Sequence, residues 1–332
     1  MQETCDTSRL CPGKAVAFTP SVPRDPTMRV PAIGTGTHST HPRAPVLVLR
    51  TAARTDVGKV RAHNEDAVHV DPSGHFFLVA DGMGGHAAGE IASRMAIEVV
   101  RDHLERERRY LVRLGARKDA DARTRIRATL ERVARAAQAA VYERGQRDPD
   151  KEGMGTTLEI ALILSGELFV AHVGDSRTYL VRAGVATQLT RDHTIGQMMV
   201  DHGQCTADQL RKSARRTLFN AIGANADLRI DHVQRELAPG DRVVVCTDGL
   251  HDYFSDEELS RRVGRQPPGP ALGELVELAR ARGGHDNITG VVIEATAVPR
   301  PASHPADDAP TPMPALGADE WDDEPTVPRL IR

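Results

Sequence analysis

The sequence predicts an α+β fold, a layered antiparallel sandwich covered by helices, on three observations. Short apolar runs of strand length recur in both halves of the chain. Two long helical patterns stand side by side instead of alternating with strands, which argues against a doubly wound parallel sheet. Between two tails, a region of ~250 residues carries no Pro/Gly-rich linker long enough to divide it, so one folded domain is expected.

Taken in order, residues 1–45 are rich in Pro, Thr, Ser and Gly without a hydrophobic period, and a disordered leader is expected there. Strand candidates come first at 46–49 and 76–80, both short runs of Val, Leu, Phe or Ala. Residues 88–114 and 122–144 carry apolar side chains at three- and four-residue spacing with Arg and Glu between them, as amphipathic helices do. Strands follow at 158–164, 168–173, 178–181 and 242–246, then a helix pair at 256–263 and 271–282, then a strand at 288–294. From 298 to 332 Pro mixes with Asp and Glu, and a disordered acidic tail is expected. The domain itself is expected over 46–297.

Composition narrows the partners. With 43 Lys and Arg against 46 Asp and Glu, and no dense basic stripe interleaved with aromatics, nucleic acid is not an expected partner. The cysteines Cys5, Cys11, Cys205 and Cys246 form no CxxC pair and no framework of the secreted kind, which fits a reducing compartment. Cys246 reads as an apolar strand residue. No apolar run reaches the length of a membrane span, and prolines recur from Pro12 to Pro45 where a secretory leader would be apolar. A cytoplasmic monomer without a membrane partner is expected.

The chemistry is carried by aspartates at the ends of apolar runs. Asp81 follows Phe-Phe-Leu-Val-Ala, Asp175 follows Phe-Val-Ala-His-Val-Gly, Asp248 follows Val-Val-Val-Cys-Thr, and Asp286 precedes Asn-Ile-Thr-Gly-Val-Val. A sheet holds a carboxylate at a strand end firmly while it faces a cleft. Several converging there repel one another unless a cation offsets them, and hard divalent ions with oxygen ligands suit that need. Taken singly, Asp-Gly is ordinary turn chemistry. As a set the sites say more. Asp81 opens Asp-Gly-Met-Gly-Gly-His-Ala-Ala-Gly-Glu, a glycine-rich segment just before a helix whose backbone can approach an ion or phosphate closely. Upstream, Arg61 is followed by His63-Asn64-Glu65-Asp66, which reads either as a solvated charged edge or as an anion clamp beside a metal ligand.

Read together, the motifs DVGKVRAHNEDA, VADGMGGHAAGE, GMGTTL, AHVGDSRTYLVR, LTRDHT, VVVCTDGL and GGHDNITGVVI give the chain its resemblance to the metal-dependent protein phosphatases of type 2C, in their bacterial form. The resemblance runs from about Thr51 to Glu294. It implies a four-layer α-β-β-α sandwich with two central, mainly antiparallel β-sheets and metals at one edge between them. By that resemblance, Asp81 is the bridging metal ligand and Gly82 offers its carbonyl. Asp248 and Asp286 complete one metal, and Glu65 lies by the other. Asp66 orients water or ligand behind them. Asp175, with Asp248, helps hold a third, weaker ion. Arg61 binds the substrate phosphate with its planar fork. The cofactors implied are Mn2+ or Mg2+, two at the core site and a third beside them. The activity implied is hydrolysis of phosphoserine and phosphothreonine in proteins by a metal-bridging water, without a phosphoenzyme or a cysteine nucleophile, opposing bacterial Ser/Thr kinases.

This chain departs from the pattern in places. Relatives outside bacteria can carry a histidine directly after the Asp-Gly pair, where Met83 stands here; His86 is the candidate general acid, or else a helix-start histidine that caps or packs. His63 stands where many relatives have Asn, and Asn220-Ala221-Ile222-Gly223 where an Arg often precedes the Ala. Residues 191–224 resemble the family's mobile flap, and Arg211, Lys212, Arg215 and Arg216 read as a solvated helix face or as a contact for acidic or phosphorylated partners. Two other readings stand beside the phosphatase: a non-catalytic phosphoprotein-binding pseudophosphatase, and a hydrolase of another phosphoester.

Overall fold

The computed structural model describes residues 46–84, 88–210 and 212–298. In chain order these form β1 (Val46–Asp56), β2 (Asp66–Val70), β3 (Phe76–Met83), α1 (Ala88–Arg117), α2 (Ala120–Arg147), β4 (Gly155–Thr156), β5 (Leu158–Leu164), β6 (Glu167–Val173), β7 (Arg177–Arg182), β8 (Val185–Gln188), α3 (Ile195–Asp201), α4 (Lys212–Arg216), β9 (Asp231–Glu236), β10 (Arg242–Cys246), α5 (Asp248–His251), α6 (Asp256–Val263), α7 (Pro268–Ala281) and β11 (Ile288–Val298). One sheet runs β1-β11-β10-β7-β8 and the other β2-β3-β5-β6-β9, with β4 paired to β3. Every strand pair is antiparallel.

The period-two alternation of the strands builds the layers. In β3, Phe76, Leu78 and Ala80 face α1 and α2, while Phe77 and Val79 face the opposite sheet. Strand β5 divides the same way, with Leu158, Ile160, Leu162 and Leu164 toward the helices and Ala161 and Ile163 inward. In the other sheet Val243 and Val245 of β10 point inward, and Val244 and Cys246 pack under α6 and α7. Three apolar seams therefore separate four layers, α-β-β-α. Strands covered on both faces read as continuous apolar runs, which is why these were legible.

The boundaries depart from expectation where polarity intrudes. The first strand runs on to Asp56, the second helix begins at Ala120 behind the Asp119 cap, which accepts from the Ala122 N–H at 2.7 Å, and α7 begins at Pro268. Strands β2, β8 and β9 were not anticipated. All three are edge strands with partly exposed side chains, so their sequences (DAVHV, VATQ, DHVQRE) lack an apolar run. Among the described residues no helix is long and apolar enough to cross a membrane.

Candidate functional site

The strand-end carboxylates gather at one edge of the sandwich. Asp81 and Gly82 lie at the end of β3, Glu65 just ahead of β2 and Asp175 just past β6; Asp248 opens α5 after β10, and Asp286 lies two residues ahead of β11. Both sheets therefore contribute. Glu65, Asp81, Gly82, Asp175, Asp248 and Asp286 line a single cavity of about 520 Å³, with Arg61 and His63 at its rim. Asp66 is buried and pairs opposite Asp81 in the β2–β3 register, behind the lining, where its Oδ2 accepts from Thr247 Oγ1 at 3.0 Å.

Backbone and hydroxyl contacts fix these groups. The Asp81 N–H donates to Thr157 Oγ1 at 2.8 Å, while Thr156 Oγ1 and the Thr157 N–H both donate to the Asp81 carbonyl at 2.9 Å. The Gly82 N–H donates to the Glu65 carbonyl at 3.1 Å. A Cβ on Gly82 would stand 2.1 Å from the Gly89 carbonyl oxygen and 2.6 Å from that of Glu65, so only glycine lets β3, the Glu65 loop and the start of α1 meet. Asn287 ties the other side together: its Oδ1 accepts from the Glu65 N–H at 2.8 Å, and its Nδ2 donates to the carbonyls of Val57 and His63 at 2.9 Å each. Sequence reading did not single out Thr157 or Asn287, although both sit inside the quoted motifs.

The electrostatics follow from crowding. Burial first, then the neighbouring carboxylates, push Asp66 and Asp175 up to about 7 and hold Asp81 well above the carboxylate range; Asp248 is raised by the same causes. Arg61 offsets part of this charge, donating from Nη2 to Asp286 at 2.9 Å and from Nη1 to Glu65 at 3.4 Å. Oδ1 of Asp66 and Oδ1 of Asp248 are buried with no hydrogen-bond partner. Repelling carboxylates with unsatisfied buried oxygens are the donor set that hard divalent cations take. Among the described residues no three Asp, Glu, His or Cys side chains close into a ready-made cage. The donors line an open cleft instead, where cations would keep part of their shell as water or backbone carbonyl, that of Gly82 among them.

His86 lies outside the described residues, as does Arg211. His63 is exposed on the cavity rim. In the 191–224 segment, Arg216 and Leu218 line the cavity, so part of the basic cluster faces the site. Asn220 is buried and structural: it exchanges two hydrogen bonds with the Arg229 backbone, at 2.9 and 3.0 Å. Cys246 is fully buried in β10, where burial drives its thiol far up, as befits a core residue.

A family model described as Protein phosphatase 2C matches residues 58–277. The chain is 38% identical over 248 residues to the serine/threonine protein phosphatase PstP of Mycobacterium tuberculosis, a match covering 75% of this chain and 45% of that protein, a little under half its length. It is 34% identical over 246 residues to a putative protein phosphatase 2C-type of Streptococcus pyogenes, covering 73% of this chain and 95% of that one. Among solved structures, the catalytic domain of PstP in complex with two manganese ions superposes with a TM-score of 0.64 at 37% identity, over 75% of this chain and 99% of that one. The matched stretch carries strands of both sheets and the cavity carboxylates from Glu65 to Asp248, and the chain belongs to the protein phosphatase 2C family.

Proposed function

We propose that residues 46–297 form the catalytic domain of a metal-dependent protein serine/threonine phosphatase, acting as a cytoplasmic monomer on phosphoproteins made by Ser/Thr kinases. One observation carries the reading: five carboxylates from both sheets, Glu65, Asp81, Asp175, Asp248 and Asp286, surround one cavity with the Arg61 guanidinium at its mouth. Such a pocket offers a divalent-ion floor and a phosphate clamp together.

In this reading Asp81, Asp248, Asp286, Glu65 and the Gly82 carbonyl would hold two Mn2+ or Mg2+ ions, with Asp81 shared between them, and Asp175 with Asp248 would hold a third. When bound, the ions lower the pKa of water and offset charge on the phosphoryl oxygens. Everything else falls to the chain. Arg61, held at the cavity mouth by Asp286 and Glu65, would present its fork to two phosphoryl oxygens. Asp66, buried behind the cluster and anchored by Thr247, orients a ligand or water in front of it. His86 is the proposed proton donor to the leaving serine or threonine oxygen, and residues 191–224 the flap over the pocket. The PstP structure with two manganese ions supports the two-ion count.

The test is phosphate release from a phosphothreonine peptide with manganese, with EDTA, and with Asp248→Asn. Turnover that needs manganese and falls by roughly 10²- to 10³-fold in the variant is expected. A folded, manganese-loaded protein that binds phosphopeptides without turning any over would support the pseudophosphatase reading instead.

A further inference from the structure

The cavity has a second guanidinium. Arg216, the last residue of α4, lines the same pocket as Arg61, reaching it from the 191–224 segment while Arg61 comes from the loop after β1. Its placement is built. The Ile195 N–H donates to the Thr217 carbonyl at 2.8 Å and the Phe219 N–H to the His193 carbonyl at 3.0 Å, and Thr194 bridges to Leu218, so the chain around Arg216 is stitched to residues 193–195.

What holds the Arg216 side chain is a carboxylate. Its Nη2 stands 2.5 Å from Oδ2 of Asp252, with the two side chains 50% and 36% exposed. Asp252 lies one helical turn past Asp248, its N–H donating to the Asp248 carbonyl at 3.0 Å, and His251 Nδ1 stands 3.4 Å from its other oxygen. Asp252 is itself 36% exposed, so water can solvate its carboxylate if Arg216 departs. A half-exposed ion pair of this kind contributes little net stability, so one carboxylate can replace another on the guanidinium at small cost. Asn220, further along the segment, is buried and spent on the Arg229 backbone, and Arg216 is the cation this segment presents to the pocket among the described residues.

We infer that Arg216 is a specificity-determining residue that exchanges Asp252 for an acidic side chain flanking the phosphorylated residue, so that the site favours phosphopeptides with Asp or Glu beside the phosphoserine or phosphothreonine. The inference rests on the proposed phosphatase reading. The division of labour is that Arg61 takes the phosphoryl group and Arg216 takes the neighbour. Arg216 works at the rim, where an acidic flank would otherwise meet only the carboxylate-rich floor.

The experiment uses two phosphothreonine peptides that differ only in carrying Glu or Gln on both sides of the phosphothreonine. Binding is read by fluorescence anisotropy with manganese, and kcat/KM by phosphate release. The full chain should prefer the Glu peptide by about tenfold in both readouts, through Kd and KM rather than kcat. Arg216→Ala should bring the ratio near one, Arg216→Lys should keep part of it, and Asp252→Asn should raise it by freeing the guanidinium. An equal loss on both peptides in Arg216→Ala would overturn the idea, since Arg216 would then be gripping the phosphoryl group itself. So would equal affinity of the full chain for both peptides. If neither peptide is turned over, the phosphatase reading fails while the anisotropy ratio still decides the role of Arg216.

Discussion

The floor and the rim of the cavity are built differently. The floor hangs on strand ends: Asp81 is pinned by Thr156 and Thr157, and Glu65 by Asn287 and Gly82. The 191–224 side of the rim rests on short helices, α3 and α4, and on polar anchors around His193 and Asn220. The floor must hold like charges together against their repulsion, so it is rigid and over-determined. The rim carries no such load. Its side chains Asn220 and Arg216 are held by the Arg229 backbone and by Asp252, away from the carboxylates of the floor.

The sharpest way to break the floor is Gly82→Ala. The added methyl would sit against two carbonyl oxygens, and we expect a loss on the order of 3 kcal/mol together with manganese-dependent turnover. Normal thermal unfolding with full activity would show that β3 can move and that the floor is less constrained than described. Asn287→Ala should cost about 2–3 kcal/mol, three hydrogen bonds at about 1 kcal/mol each, and should raise the KM for manganese because Glu65 loses its tether. A stability loss without a change in metal requirement would confine Asn287 to the fold.

The smallest effect near neutral pH belongs to the rim. His193 Nδ1 accepts from the Gly174 N–H at 3.1 Å and meets Asn220 Nδ2 at 2.8 Å, so it stands unprotonated. Burial and then the adjacent His172 push His193 down to about 4. Its folded pKa lies below its unfolded value, so the unfolded state takes up the proton first. Stability is then unaffected by this group above about pH 6.5 and falls between 6.5 and 4, by at most about 1.4 kcal/mol per unit. Urea unfolding across that window should show a shallower decline in His193→Gln than in the unmodified chain. Parallel slopes would remove His193 as the acid-sensitive anchor of the rim.

Legibility in the sequence followed the same division. The floor's aspartates could be read because each borders an apolar run, Asp286 ahead of one and the others behind, and because Gly, His or Asn beside each marked a turn. The ties that aim them could not. Asn287 and Glu65 are separated by 222 positions, and an asparagine after an aspartate carries no local sign of the loop it will clamp. Arg216 reads in the sequence either as a charge on a solvated helix face or as a contact for acidic or phosphorylated partners, and the fold is what brings it to the pocket. The edge strands β2, β8 and β9 escaped for a different reason: solvent on one side permits the polar residues that erase a strand's apolar signature.

The pairing of β1 with β11, from Val46 opposite Val298 to Asp56 opposite Ile288, bears on synthesis at the ribosome. The last of the described strands, β11, is interior to its sheet, lying between β1 and β10, and Asp286 and Asn287 come out just ahead of it. Until then β1 has no sheet neighbour and Glu65 has no clamp. A chain cut short before β11 therefore lacks both a closed sandwich and a complete carboxylate floor, so the site is completed only with β11, after a long-range closure of the slow-folding kind.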